Sequence, residues 1–588
     1  MSASASALHP PKLQCKVTSV ATGAVRRCKG GLLSDPEPTA VPETTVAPAV
    51  VVSAVEVAEA GASHASEHRA ITRHASILMV LTLVSRMAGL VRDFMITHFF
   101  GASGMTDVFY MAFTIPNVLR RLVAEGTLTA VVQPEYQKVR ANRGEVAARS
   151  LYRGVFGFVI VGVVVLSLAG IVFAEPIVYA FAAGFIDKPE KFALTVELTR
   201  WLFPVVIAMG LIGLFMSVLN AHDEYASPAL APIVLNVSMI VWTVVGATLF
   251  DPPIFGIVVG VLVGGLMQVA VQLPALRRRG LLLMPRFAFS DPGVLAVMRG
   301  FIPGLFGLAV YQVNIIVLRQ IASHMTEGSV SYYYTADRLM EFTNGVFAIA
   351  IAQGAFTAMN TRAAAGDLDG LRRLWRFSFD LTNLVAIPAA LGLAVLAVPI
   401  VSVLFLHGRF CWADVEQTGL NVMCASFGLV FSASVRGTIQ VFMALGDRRT
   451  PVVVSAVVVV VNLLVGLVVM HAGVGVHGLS FTLSISTAVQ AVLLMILVRR
   501  KIGSLGIAGL LQQGALKVVV AVVACAAAWG VARLGDWPRG FGSYNALVLS
   551  AAVGSAIFLY VLGAVMLKLS GSEEMARKVK LKLKLKIK

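Results

Sequence analysis

Ser85–Val132 reads SRMAGLVRDFMITHFFGASGMTDVFYMAFTIPNVLRRLVAEGTLTAVV. Two apolar runs, each long enough for a membrane helix, are joined by the short turn Gly101–Gly104. Inside those runs sit Arg86, Arg92, Asp93, Asp107, Arg120, Arg121 and Glu125. A charge at the bilayer centre costs roughly 2.5–3.5 kcal/mol on insertion scales. A hairpin carrying so many is tolerable only if they face a partner helix, one another or a wet cavity. Arg86 and Asp93 are seven residues apart, two helical turns, so they share a stripe with Arg92 beside it. Arg121 and Glu125, four apart, can pair along the helix. The plainer alternative is anchoring at the headgroups by long side chains that reach the interface. It suits Arg92 and Asp107, near the turn, better than Arg86, Arg120 and Glu125, which lie well inside their helices.

The surrounding chain has the composition of a polytopic membrane protein. Its 588 residues are 57% hydrophobic and 13% charged, with a mean hydropathy of +0.83. The net charge of +17 would suit a nucleic-acid binder, but the Lys and Arg gather in short loops between apolar runs. That is the positive-inside pattern of membrane proteins, and no nucleic-acid partner is expected. The five cysteines, Cys15, Cys28, Cys411, Cys424 and Cys525, have neither paired nor metal-ligand spacing. The ten histidines form no HExxH-like cluster.

Residues 1–70 are rich in Ala, Ser, Pro, Val and Thr without periodicity, and are expected to be a disordered N-terminal extension. Fourteen candidate spans follow, near 75–100, 105–133, 152–174, 197–219, 229–250, 254–276, 294–321, 329–357, 377–405, 415–444, 452–471, 477–498, 511–533 and 544–567. Alternate loops differ in charge: one set holds residues such as Arg140, Arg149, Arg277–Arg279, Arg372, Arg448 and Arg499, and the other is nearly bare. The alternation puts both termini in the cytoplasm and requires an even number of spans. The Lys-rich tail, 568–588, alternates Lys with apolar residues and could lie on anionic membrane lipids.

A faint internal repeat divides the spans. Ala221–Pro228 and Ala444–Pro451 each join one span to the next, and Asn236 or Asn462 follows. The second span carries Arg120, Arg121 and Glu125, and the eighth carries Asp337, Arg338 and Glu341. Two six-helix lobes in the same orientation, residues 71–276 and 277–500, explain both offsets, with two additional helices in 501–567. In the eighth span Arg338 is within reach of Glu341, so the cluster could also be a neutral lock between helices. Gln312, Asn314, Arg319, Arg436 and Gln440 read as interhelical glue or end anchors. The expected fold is thus an all-α polytopic membrane protein.

The residues Ser85-Arg86-x-x-Gly89-x-x-Arg92-Asp93, Phe100-Gly101-Ala102, Thr106-Asp107-x-Phe109 and Pro116-Asn117-x-Leu119-Arg120-Arg121-x-x-Ala124-Glu125-Gly126 resemble the MurJ (MviN) family. So does Tyr334-x-Ala336-Asp337-Arg338-Leu339-x-Glu341-Phe342. These are lipid II flippases of peptidoglycan synthesis, within the multidrug/oligosaccharidyl-lipid/polysaccharide exporter superfamily, and the resemblance runs from about residue 70 to 567. It implies two lobes around a central cavity of a bacterial inner-membrane transporter that serves cell wall biogenesis and cell shape. It also implies that Arg86, Arg92, Arg120 and Arg338 contact the diphosphate of the lipid-linked precursor. Asp93, Asp107, Arg121, Glu125, Asp337 and Glu341 would form a charge network or gate. Some members use an acid in the C-terminal lobe for sodium, but here the seventh, eleventh and twelfth spans contain no Asp or Glu. Neither a cofactor nor a metal is expected; coupling would come from membrane potential or an unidentified ion.

The chemistry agrees with that resemblance. Guanidinium forks bind phosphate oxygens in pairs, and carboxylates beside them can hold the arginines when no phosphate does. No nucleophile, metal cluster or phosphate-cradling Gly-Lys motif suggests an enzyme. The expected substrate is lipid II, and other cell-wall synthesis proteins are possible partners. The alternatives are a flippase for another polyprenyl-diphosphate glycan, a drug exporter of the same superfamily, or a membrane-embedded glycosyltransferase. A cationic cavity disfavours cationic drugs, and the loops are too short for a glycosyltransferase's extramembrane domain.

Overall fold

The computed structural model describes residues 78–572, apart from residues 79, 123–127 and 289 and from the side chains of residues 302–311 and 344–355. The expected N-terminal extension, most of the Lys-rich tail and Glu125 lie outside the described residues. The described chain is a succession of helices. The first half comprises α1 (80–100), α2 (Gly104–Arg120), α3 (Thr129–Val172), α4 (Ala174–Phe181), α5 (Pro189–Leu202), α6 (Val205–Asn220), α7 (Ala226–Leu249) and α8 (Phe255–Arg278). The second comprises α9 (Pro292–Ser323), α10 (Ser329–Ala364), α11 (Leu368–Val395), α12 (Ala397–Phe405), α13 (Trp412–Ala444), α14 (Arg449–His471) and α15 (His477–Ile502). Two more, α16 (Ile507–Ala532) and α17 (Ser543–Met566), follow.

Among the described residues, 9 helices are individually long and apolar enough to cross a membrane, and the pair α5–α6, bent by 40°, makes a tenth. These ten coincide with ten of the expected spans. The other four expected spans fall on α1, α2, α9 and α10. Two boundaries differ from expectation. The basic stretch after residue 133, read as a loop, is helical: α3 begins at Thr129 and is broken by a kink at Gly144 (φ 81°, ψ 175°), beyond which a second helix carries the span. Charged residues are compatible with a solvated helix, so loop and surface helix look alike in composition. The span expected over 377–405 is broken at Leu396, between α11 and α12.

Local chemistry explains several helix starts. Asp291 caps α9 by accepting from Gly293 N at 2.8 Å, with Pro292 in the first turn. Asp367 does the same for α11 through Gly370 N at 2.7 Å. On the arginine-rich face, Glu145 binds Arg140 at 2.9 Å and Arg149 at 3.2 Å. Burial alone would raise its carboxyl, but the Arg149 bond and the neighbouring His222 and Arg140 bring it below its ordinary value.

Packing follows membrane rules. The largest apolar core draws mainly on α2 to α8 and is closed by the ends of α9 and α10. Separate cores join α11, α13 and α15 through Trp375, Phe442 and Leu494, and α11, α16 and α17 through Leu384, Ala521 and Tyr560. On α14, Val453, Val457, Val460, Leu464 and Val468 are exposed, whereas Val454, Val458 and Asn462 are buried. The apolar stripe thus points outward and the polar residue inward, as a lipid-facing helix requires. α7 and α8 approach so closely that a Cβ on Gly246 would lie 2.3 Å from Gly256 Cα. Any larger residue there would push the helices apart.

The repeat has a structural counterpart. Pro228 and Pro451 each stand third in their helices, α7 and α14, and Asn236 and Asn462 are buried further along. The two C-terminal helices are fastened through a buried charge: Lys517 of α16 donates to Asp380 of α11, 3.0 Å to the main-chain oxygen and 3.1 Å to Oδ1. The Lys517 side chain is 1% exposed.

Candidate functional site

The charged residues of α1, α2 and α10 converge from helices distant in sequence. Arg86, Arg92, Arg120 and Arg338 all line one cavity of about 650 Å³. Asn220 and Tyr225 also line it, so it extends to the connection between α6 and α7 on the arginine-rich face.

Within it the arginines are held by carboxylates and amides. Arg338 Nη1 donates to Glu341 Oε2 at 2.6 Å, while its Nε and Nη2 reach the Tyr334 hydroxyl at 3.0 and 2.8 Å. Its Nε also lies 3.8 Å from Asp93 Oδ2. Arg121 Nη2 meets Glu341 Oε1 at 3.2 Å, and Arg86 Nη1 meets the Glu341 main-chain oxygen at 3.1 Å. Glu341 of α10 therefore gathers two guanidinium groups from the other half of the chain. Arg92 is buried, bonded to Asp93 Oδ1 through Nε and Nη2 at 3.0 and 2.6 Å and to Asn236 Oδ1 through Nη1 at 3.0 Å. Arg120 directs Nε and Nη2 onto Asn117 Oδ1 at 3.0 and 2.8 Å.

The structure does not bring every candidate to this cavity. Asp93, Arg121 and Asp337 do not line it. Arg121, expected to pair along its own helix, reaches Glu341 of α10 instead. Asp107 sits at the opposite face. Its Oδ2 accepts from Gly328 N at 2.8 Å and Lys191 Nζ at 2.9 Å. Its Oδ1 accepts from Ser331 N at 2.9 Å, with Ser331 Oγ 2.7 Å away. That contact joins α2 to the start of α10 at the end of the structure remote from the arginine-rich loops. Arg319, read as glue, is buried and donates to Thr114 of α2.

Sequence reasoning missed Tyr334, Asn117 and Lys191 as partners. Asn117 and Tyr334 stand in the quoted motifs three and four residues before an arginine, a spacing that could have marked them as fork holders. Asn236 was visible only as a marker of the repeat. The seventh, eleventh and twelfth expected spans meet through Asn314, Asn462 and Ser486. Asn462 Nδ2 donates to Asn314, and Ser486 Oγ donates to Asn462 Oδ1 at 3.1 Å. These neutral groups satisfy one another and offer no carboxylate. Among the described residues, no group of three or more His, Cys, Asp or Glu is placed to hold a metal ion.

The fold is shared with solved transporters. A lipid II flippase MurJ in an inward closed conformation aligns with a TM-score of 0.69, covering 83% of this chain and 98% of that one at 20% identity. An inward-facing multidrug resistance MATE family transporter of the MOP superfamily aligns at 0.60, covering 73% and 98% at 14% identity. These likenesses define the fold, a multi-pass helical one. The chain belongs to the lipid II flippase MurJ family, whose model matches residues 96–549. A probable lipid II flippase MurJ of Vibrio cholerae is 31% identical over 499 residues, 82% of this chain and 94% of the relative. The lipid II flippase MurJ of Burkholderia cenocepacia is 32% identical over 424 residues, 71% and 82% of the two chains.

Proposed function

We propose that this chain carries the lipid-linked peptidoglycan precursor, lipid II, across the bacterial cytoplasmic membrane by alternating access. It serves cell wall biogenesis as a transporter and not as an enzyme. The observation that carries the reading is the convergence of Arg86, Arg92, Arg120 and Arg338 on one cavity. A diphosphate offers the charge and the paired oxygens that guanidinium forks bind. Carboxylates Asp93 and Glu341 balance the arginines until a phosphate takes their place. Asp107 is the gate on the far face, and membrane potential or an ion drives the cycle. The moving bodies are residues 71–276 and 277–500, with 501–567 as an accessory helix pair; 1–70 and 568–588 lie outside them. The test is complementation of a flippase-depleted bacterium, read as accumulation of unflipped lipid II. Rescue with lipid II returned to its ordinary level is expected. Normal membrane insertion with continued accumulation would overturn the reading.

The arginine-rich loops supply the orientation: both termini are cytoplasmic. Single cysteines at Gly475 and Gly542 are expected to react with an impermeant maleimide from outside. Those at Asn142, Ala365 and Gly446 are expected to react only after the membrane is opened. The reverse labelling would invert the topology.

A further inference from the structure

At the face opposite the arginine-rich loops, two helices begin side by side, and the first turn of each meets an acid from the other half of the chain. α10 starts after Gly328, which is left-handed (φ 86°), and Gly328 contributes no side chain to the first-turn amides. Asp107 of α2 takes that role, accepting from Gly328 N at 2.8 Å and Ser331 N at 2.9 Å. α2 starts with its own capping box, Ser103 N donating to Thr106 Oγ1 at 2.8 Å, and its first amide, Gly104 N, is left to donate to Glu327 Oε1 at 2.8 Å. Glu327 stands immediately before Gly328. The caps are therefore reciprocal: an acid of α2 serves α10, and the acid just before α10 serves α2.

Glycine is required at Gly328, where φ is positive and the neighbour is backbone, while at Gly104 a side chain would displace the flexible Glu327 carboxylate. A Cβ on Gly104 would lie 2.4 Å from Glu327 Oε1, and one on Gly328 would lie 2.8 Å from the Ala102 main-chain oxygen. The two acids differ in exposure. The Asp107 side chain is 1% exposed and keeps a partner in its own half of the chain, Lys191 at 2.9 Å. Glu327 is exposed, at the rim of the contact. A carboxylate on a helix N-terminus is held by the unsatisfied amides and the helix dipole. Separating the two halves strips both caps, and water reaches the Glu327 cap first.

We propose that Glu327 is a positioning residue for transport. With Gly104 it forms the outer half of a two-carboxylate clasp that holds this face shut, and it sets how readily the face opens. The proposal rests on the alternating-access reading above. Asp107 forms the inner half and is released after Glu327. Nothing in the sequence marks Glu327, because a single acid in a short connection between spans reads as ordinary loop polarity.

The test uses the full chain in lipid nanodiscs, with native cysteines replaced by serine in a background that still complements. Spin labels at Asp187 and Val474, exposed on the same face but in different halves, report the separation by double electron–electron resonance. Glu327→Ala is expected to raise the long-distance population about two- to fivefold relative to the short one, the range for loss of one helix-terminal carboxylate. Glu327→Gln, which keeps an acceptor but no charge, is expected to fall between Glu327→Ala and the parent. Glu190→Ala removes another exposed acid of that face and is expected to leave the distances alone. If Asp107→Asn lengthens the distance and Glu327→Ala does not, the clasp proposal fails while the gate reading stands. If neither does, the closure itself has been misread and the proposal fails with it.

Discussion

Alanine at Arg120 or Arg338 is expected to abolish complementation while membrane abundance stays at the parental level. Both residues line the cavity, and they come from different halves of the chain, α2 and α10. A head group held between them loses one side of its grip in either variant. Loss of a hydrogen bond to a charged group costs about 1.5–3 kcal/mol, about 10- to 150-fold in affinity. The effect on transport is larger still, because the partners left behind are stranded: without Arg338, the Tyr334 hydroxyl loses both of its guanidinium donors.

Lysine separates field from geometry. Arg338 spends one edge of its fork on Tyr334 and another nitrogen on Glu341, which a single ammonium on a flexible stem does not reproduce. Arg338→Lys is therefore expected to fail like alanine. Among the described residues Arg86 makes one hydrogen bond, to a main-chain oxygen, and Arg86→Lys is expected to retain substantial function. Arg277→Ala, on the exposed end of α8, is expected to be silent. Lipid II binding in detergent accompanies each measurement. Normal binding and flipping by both Arg120→Ala and Arg338→Ala would make the cavity charges structural pairs and move the substrate site elsewhere.

The second large effect is on stability. Lys517→Met is expected to lower the midpoint of thermal unfolding in detergent sharply, since it leaves Asp380, 13% exposed, facing a missing cation. Breaking a buried ion pair from one side costs about 3–5 kcal/mol, whereas replacing both members with apolar residues is often neutral. The double variant Lys517→Met/Asp380→Leu is therefore expected to recover most of the loss. An unchanged midpoint for Lys517→Met alone would mean that the pair contributes nothing to holding α16 on α11.

How far these features were legible in the sequence depends on chemistry and distance. The cavity arginines stood out because a charge inside an apolar run is expensive and needs a reason. The repeat stood out because Pro228 and Pro451 recur with a buried Asn after each. Tyr334 and Asn117 did not stand out: neutral polar residues are common in membrane helices, and only the fold shows which guanidinium each one holds. Lys191 and Glu327 were invisible for another reason. They lie in or beside connections, where a charge costs nothing in isolation, and their partners are 84 and 223 residues away. The helical stretch after Thr129 was hidden because a charged surface helix and a charged loop share one composition.

Glu341 already holds Arg121 and Arg338, and Asp93 already holds Arg92. An anion entering from the membrane must therefore outbid carboxylates that are in place before it arrives. A phospholipid phosphodiester brings one negative charge, no more than the acid it would displace. A diphosphate brings more charge and more oxygens, enough to engage several guanidinium groups at once. On the proposed function, the two acids thus act as a selectivity threshold. They keep the membrane's own abundant lipids from being carried, and they leave passage to the rare lipid whose head group is more highly charged.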